Sequence, residues 1–186
     1  MIDYSILANS VEYYESHGYQ RIESPWTVTK EISKVTSPPN ASFFTIEEKK
    51  KVLVASGEQS LLYLYNKGFL PKGKWQTITP CFRDETFDSL HTKYFLKNEL
   101  MITDSVNEAT LISTIDDALN FFRQWAPESK VKETGPKSYD IVYDDIELGS
   151  YGMRYCPFVK WVYGTGVAEP RFSRVLDMYG ISHKKN

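Results

Sequence analysis

The stretch Cys81-Phe82-Arg83-Asp84-Glu85, followed after a short polar turn by His91-Thr92-Lys93-Tyr94-Phe95-Leu96-Lys97-Asn98-Glu99, decides how the rest of the chain is read. Residues 74–82 and 93–102 both alternate toward strand, and the few polar residues between them make an antiparallel hairpin. Side chains two apart on a strand share a face. That rule places Arg83 with Glu85 on one strand, and Phe95 with Glu99 on its partner. Such a face offers a guanidinium for an anionic oxygen, an aromatic surface for stacking, and carboxylates for an amino group or a metal. The ordinary alternative is a cross-strand Arg–Glu ion pair on a solvated sheet face.

Upstream of the hairpin, Leu7, Val11 and Tyr14 recur at helical spacing, Gly18 stops that helix, and residues 19–22 run extended toward Pro25. Residues 30–50 are polar, with Pro38, Pro39 and a Lys49-Lys50-Lys51 run, and read as a surface excursion. Residues 51–55 form a short apolar strand. Ser56-Gly57-Glu58-Gln59 then has capping-box spacing ahead of a helix through Leu61, Leu62, Leu64 and Tyr65 that stops at Gly68. Glu58 therefore belongs at a helix N-terminus, where a carboxylate is stabilised.

Downstream, Ser105-Val106-Asn107-Glu108 reads as a second capping box. It opens the clearest helix, striped by Leu111, Ile115, Leu119 and Phe122 and ending near Pro127. Residues 128–137 read as a charged loop, followed by strands over 139–143, 146–148 and 158–163, a glycine-rich turn, and a helix over 170–178. The expected class is α+β, a mostly antiparallel sheet flanked by helices, without the strand–helix alternation of a Rossmann fold.

The glycine-rich segment, Gly164-Thr165-Gly166-Val167-Ala168-Glu169-Pro170-Arg171, is the second cluster with chemical content. Small residues at a strand-to-helix junction allow close backbone approach, a helix N-terminus favours phosphate, and Arg171 in the first turn can grip a phosphate bidentately. Glycines serving a tight turn, with an incidental arginine, are the plain alternative. The segment is not a Walker loop, because the Lys-Ser/Thr ending is missing.

Taken together, these residues resemble the catalytic domain of the class II aminoacyl-tRNA synthetases from about residue 5 to 178. The first helix, the extended run and Pro25 look like motif 1. Phe82-Arg83-Asp84-Glu85 with Phe95 and Glu99 looks like motif 2, and the Gly-x-Gly-x-Ala-x-x-Arg run from Gly164 to Arg171 looks like motif 3. Val54-Ala55-Ser56-Gly57-Glu58 is similar to the Thr-x-Glu loop of the seryl, threonyl, prolyl and glycyl subgroup.

The resemblance implies ATP-dependent activation of an amino acid, or an analogue, as its adenylate. It assigns Arg83 to bridge the amino-acid carboxylate and the ATP α-phosphate. Glu85 would contact adenine, Phe95 would stack on it, and Arg171 would cover its other face and reach the γ-phosphate together with His91. Gly164 and Gly166 fall in the ATP-binding segment. Ser56, Glu58 and Ser150 would contact the amino acid, with Glu58 receiving its α-amino group. Glu147 would hold magnesium with the phosphates, with Glu99 as its partner. Motif 1 implies a homodimer through the first helix and the strand ending at Pro25. Side-chain selectivity is expected near Ser150, Tyr151, Gly152 and Met153.

Composition bounds the partners. The 186 residues carry 24 acidic and 22 basic side chains, a net charge of −2, so the strong positive footprint of a phosphate-neutralising nucleic-acid binder is missing. The short turn after Glu85 leans the same way, against tRNA. At 41% hydrophobic and 15% aromatic content the chain supports one core, read as a single domain over residues 1–186 without an anticodon-binding or editing domain. The acceptor of the activated acid would then be a carrier protein, a protein side chain or tRNA. Lys93 and Tyr94 depart from the Arg-Glu pair that usually precedes the stacking Phe in that family. The alternative is a non-catalytic relative that binds amino acid or nucleotide as a regulatory subunit; loss of the phosphate-binding arginines would mark it, and Arg83 and Arg171 are both present. Cys81 and Cys156 are isolated, arguing for free thiols rather than zinc or a disulfide framework. No membrane span or signal-peptide layout is present, and the expected compartment is the cytoplasm.

Overall fold

The computed structural model describes residues 1–46, 48, 50–84, 88 and 90–182. In chain order its elements are α1 (Tyr4–Ser16), β1 (Gln20–Arg21), β2 (Thr27–Thr29), α2 (Lys30–Lys34), β3 (Thr45–Ile46), β4 (Lys51–Leu53), α3 (Gly57–Asn66) and β5 (Lys74–Phe82). They continue with β6 (Tyr94–Ile102), α4 (Glu108–Arg123), β7 (Lys130–Gly135), β8 (Ser138–Tyr143), β9 (Ile146–Cys156), β10 (Val159–Glu169) and α5 (Arg171–Met178).

The main sheet has seven strands in the order β1-β5-β6-β10-β9-β8-β7, and a small sheet has the order β2-β4-β3. Among the described residues only the β1–β5 pair is parallel; the other pairs are antiparallel. The α+β class and the mostly antiparallel sheet are as read from the sequence. The β5–β6 hairpin is in register, with Cys81 opposite Phe95 and Thr77 opposite Glu99.

Strand alternation divides the molecule into two layers. Leu100 and Ile102 of β6 and Val162 of β10 point toward α1, α4 and α5, where Tyr14, Ile115, Phe121, Phe122 and Phe172 complete a buried aromatic-rich core. Met101 and Trp161, one position out of phase, point to the opposite side and pack with Val28, Val54, Leu61 and Leu62 around α3 and the small sheet. On that second side Lys97 and Glu99 of β6, beside the start of α3, form the floor of a cleft.

Helix ends follow local chemistry. Asp3 caps α1 by accepting from the Ser5 and Ile6 amides at 2.8 and 3.3 Å. Gly18 (φ +84°) and Gly68 (φ +75°) take the left-handed conformation just past α1 and α3, as their placement predicts.

Several expectations are corrected. The second capping box is displaced: Asn107, not Ser105, caps α4, its side chain accepting from the Thr110 amide at 2.9 Å. Asn107 lies next to the first helical residue, which Ser105 does not. Ser56 is the N-cap residue of α3 but makes no side-chain cap bond, and Gln59 reaches back to the Ala55 amide (2.9 Å) instead. Residues 128–137 are not a loop but largely the exposed edge strand β7, whose lysines and glutamate hide a strand signal. The polar stretch 30–50 is not a bare excursion. Its short elements α2 and β3 join the small-sheet layer, with Ile32 and Ser33 buried. The expected turn at 164–168 lies inside β10, which runs unbroken in pairing from Val159 to Glu169 apart from a bulge between Thr165 and Val167.

Candidate active site

Residues from three strands of the main sheet, from the start of α3 and from the segments around 36–43 and Arg83 meet at one cleft of about 610 Å³. Its floor is the sheet face carrying Lys97 and Glu99 of β6, Tyr163 and Thr165 of β10, and Ser150 and Arg154 of β9. One end is the start of α3, with Ser56, Glu58 and Gln59, and residues 36–38 and 40–43 form a wall. Gln59 ties that wall down: its amide nitrogen donates to the Ser33 carbonyl, Thr36 Oγ1 and Ser37 Oγ, each at 3.2 Å.

Arg83 stands just past the end of β5, where its backbone amide still donates to the Lys93 carbonyl at 2.9 Å. Its Nε donates to the Ala55 carbonyl at 3.1 Å, and its guanidinium lies 5.1 Å from the centre of the Phe95 ring. Arg83 lines both the cleft and a small adjoining slot shared with Phe95, Ala168 and Arg171. That slot encloses about 40 Å³, room for a few waters at most. Arg171, the first residue of α5, donates to Glu147 Oε1 at 3.1 Å across it.

The cleft alternates charge. Lys97 Nζ pairs with Glu99 Oε1 at 2.9 Å, while Glu99 Oε2 is buried without a hydrogen-bond partner among the described residues. Glu58 is almost fully buried; its Oε1 accepts from the Trp161 indole at 2.6 Å and its Oε2 from Arg154 at 2.5 Å. Burial pushes the Glu58 carboxyl above its ordinary value, the Arg154 charge opposes that, and the nearby Glu99 charge adds to it. Arg154 also stacks on Tyr163, with the guanidinium carbon 4.0 Å from the ring centre. Beyond Ser150, Asp140 is raised as well, first by burial and then by Glu147.

No protein-family model matches the sequence, and no curated protein matches it. Its backbone nevertheless matches seryl-tRNA synthetase from Pyrococcus horikoshii, solved with ATP, with a TM-score of 0.75 over 94% of this chain and 49% of that one, at 14% identity. It matches the pyrrolysyl-tRNA synthetase PylSc of Desulfitobacterium hafniense with a TM-score of 0.72, at 16% identity over 96% of this chain and 67% of that one. The fold is that of the class II aminoacyl-tRNA synthetase catalytic domain. A cytoplasmic serine-tRNA ligase from Naegleria fowleri, in complex with AMP, gives a TM-score of 0.66 at 17% identity over 91% of this chain and 52% of its own. The chain thus spans about half the length of the seryl enzymes that it matches.

Within this synthetase fold, Ser56, Glu58, Arg83, Glu99, Glu147 and Ser150 line one cleft, and Phe95 and Arg171 line the slot that Arg83 and Glu147 share with it. Glu85 lies outside the described residues. His91 is not among the residues lining either cavity. Its ring Nδ1 is 2.7 Å from Asp88 Oδ2, and Asp88 Oδ1 accepts from the Leu90 and His91 amides. Gly164 and Gly166 are required by packing: a Cβ at Gly164 would lie 2.8 Å from the Tyr151 ring, and one at Gly166 would lie 2.9 Å from the Tyr14 ring. Tyr151 is itself buried in the main core. Of Ser150, Tyr151, Gly152 and Met153, near which selectivity is expected, Ser150 alone lines the cleft, beside Arg154 and Tyr163.

Sequence reading missed Arg154, Lys97, Tyr163 and the 36–43 wall. Arg154 and Lys97 were legible only as strand residues in phase with Ser150 and Glu99, once the lengths of β9 and β6 were known. Among the described residues, no three His, Cys, Asp or Glu side chains converge as a self-sufficient metal site, and no helix is long and apolar enough to cross a membrane. Cys81 and Cys156 are free thiols, the first buried and the second half-buried.

Proposed function

We propose that this protein uses ATP to activate an amino acid as an aminoacyl-adenylate. The observation that carries the reading is the position of Arg83, shared between a polar cleft holding Glu58 and a slot holding Phe95 and Arg171. A carboxylate oxygen attacks the α-phosphorus of ATP, the bond to the β-phosphate oxygen breaks, and pyrophosphate leaves. Negative charge grows on the α-phosphate oxygens during this step. The Arg83 guanidinium offers charge-assisted donors there, and the Ala55 carbonyl holds its Nε so that orientation is set before reaction.

On the other side of Arg83, Phe95 and Arg171 receive the adenine ring between them, with Arg171 leaving Glu147 for the phosphates. The buried hydroxyl of Ser56, without a hydrogen-bond partner among the described residues, and the carboxylate of Glu58 receive the α-ammonium group. Each Glu58 oxygen already accepts one hydrogen bond and keeps a lone pair for a second. The unpartnered Glu99 Oε2 and the half-exposed Glu147 carboxylate fit magnesium, which takes one or two protein carboxylates alongside phosphate oxygens. When bound there, the ion would neutralise phosphate charge. The acceptor of the acyl group is a carrier protein, a protein side chain or tRNA. Exposed Tyr4, Trp26 and Tyr94 support a homodimer through the N-terminal region.

One observation favours a second reading, in which the protein binds an amino acid as a regulatory subunit without catalysis. The slot is closed by Arg83 on Phe95 and by Arg171 on Glu147. Amino-acid-dependent exchange of pyrophosphate into ATP, screened over the standard amino acids with magnesium, separates the two. Exchange with at least one acid supports adenylation, whereas no exchange with any acid and no calorimetric ATP binding leave the regulatory reading.

A further inference from the structure

Adenylation gives Arg83, Glu58 and Arg171 work to do, but it leaves Arg154 unassigned. Arg154 leaves β9 opposite Trp161 of β10 and enters the cleft beside Glu58. Two contacts hold it: one terminal nitrogen donates to Glu58 Oε2, and its guanidinium carbon lies over the Tyr163 ring, while the Trp161 indole holds the other Glu58 oxygen in place. A guanidinium has five N–H donors, and among the described residues only this one hydrogen bond uses them. The side chain is 37% exposed, whereas Glu58 below it is 4% exposed. The remaining fork therefore faces the cleft, rigidly held and only partly hydrated, a setting suited to bidentate pairing with a carboxylate.

An apolar or amide-bearing substrate side chain would cover those N–H groups without matching them, which costs binding free energy. The other cations of the cleft are differently placed: Lys97 is more deeply buried on Glu99, with 12% of its side chain exposed, and Arg83 stands where the cleft meets the slot. The geometry points to an amino acid of the aspartate and glutamate class as substrate, its side-chain carboxylate on Arg154. This inference rests on the adenylation reading for the direction of the substrate, with the α-carboxylate toward Arg83 and the ammonium between the two arginines on Glu58.

Calorimetric titration of the full chain with L-aspartate, L-glutamate, L-asparagine and L-glutamine tests it, alongside pyrophosphate exchange with the same four compounds. One acid should bind at least tenfold more tightly than its own amide, with that ratio collapsing toward one in Arg154→Gln and partly recovering in Arg154→Lys. Should Arg154→Gln unfold because Glu58 is left unpaired, Arg154→Lys keeps a cation beside Glu58 while removing the bidentate fork, and is expected to fold and to show a reduced ratio. Equal binding of acid and amide, no binding of either acid, or an acid-to-amide ratio unchanged in the variants would overturn the inference. Acid-selective binding without exchange would uphold it and count against adenylation. Exchange supported only by neutral amino acids would uphold adenylation and overturn the assignment of Arg154.

Discussion

The Arg83 guanidinium rests 5.1 Å from the centre of the Phe95 ring, so the cation assigned to phosphate covers the aromatic face assigned to adenine. Nucleotide entry has to lift Arg83 from Phe95 and part Arg171 from Glu147. A cation–π contact at a half-exposed site is worth about 0.5–1 kcal/mol, and an exposed ion pair about the same or less. ATP binding can readily replace both, since a purine restores stacking on Phe95 and phosphates restore partners for the arginines.

Arg83→Ala therefore leaves the Phe95 face open while removing the charge that acts in the reaction. The rate of pyrophosphate exchange should fall by roughly 10²–10³, the range typical for loss of one charge-stabilising donor. Calorimetric ATP affinity should change far less. Phe95→Ala should do the reverse, weakening ATP binding more than the rate at saturation.

Glu169 ties the N-terminus to the last helix. Its buried carboxylate accepts from the Asp3 amide at 3.0 Å, the Ser173 amide at 3.1 Å and the Ser173 hydroxyl. Glu169→Ala removes the shared buried acceptor of these bonds and should destabilise the fold by about 3 kcal/mol, read as a lower urea midpoint at unchanged slope.

Burial raises the Glu58 carboxyl above its ordinary 4.5, despite the opposing Arg154 charge. Its folded form thus holds a proton over a range where its unfolded form does not. The stabilisation from that proton is fully present below the unfolded value and is lost as pH rises through the folded one. The unfolding free energy of the wild type relative to Glu58→Gln should accordingly grow as pH falls from neutrality toward 4.5. Chemical denaturation of both proteins over this range measures the difference.

The two thiols differ in setting. Cys81 is fully buried, and burial raises its thiol to about 11, whereas Cys156 is half-buried. A thiol reagent at mildly alkaline pH should titrate one cysteine quickly in the native protein and both after unfolding.

The hairpin that carries Arg83 and Phe95 was legible because long strands with alternating side chains advertise both their type and their faces. So were α1, α3 and α4, whose apolar stripes repeat over two or more turns. Elements of two to five residues, such as β3 and α2, are too short to show a period, and the start of the 36–43 wall is held by the Gln59 side chain, distant in sequence. Gly164 and Gly166 were misread because glycine serves turns and close packing alike. The choice was made by Tyr151 and Tyr14, distant in sequence, whose rings occupy the space a Cβ would need. Arg154 was hidden for a related reason: its importance comes from facing Glu58 across 96 residues of chain.

The most direct test of adenylation is to follow α-phosphate-labelled ATP incubated with the protein, magnesium and each amino acid, resolving the products by chromatography. An acid-dependent aminoacyl-AMP, formed far more slowly with Arg83→Ala, is the predicted result. If no amino acid yields acyl-AMP or AMP above the level of ATP alone, the chain has the synthetase fold without its chemistry.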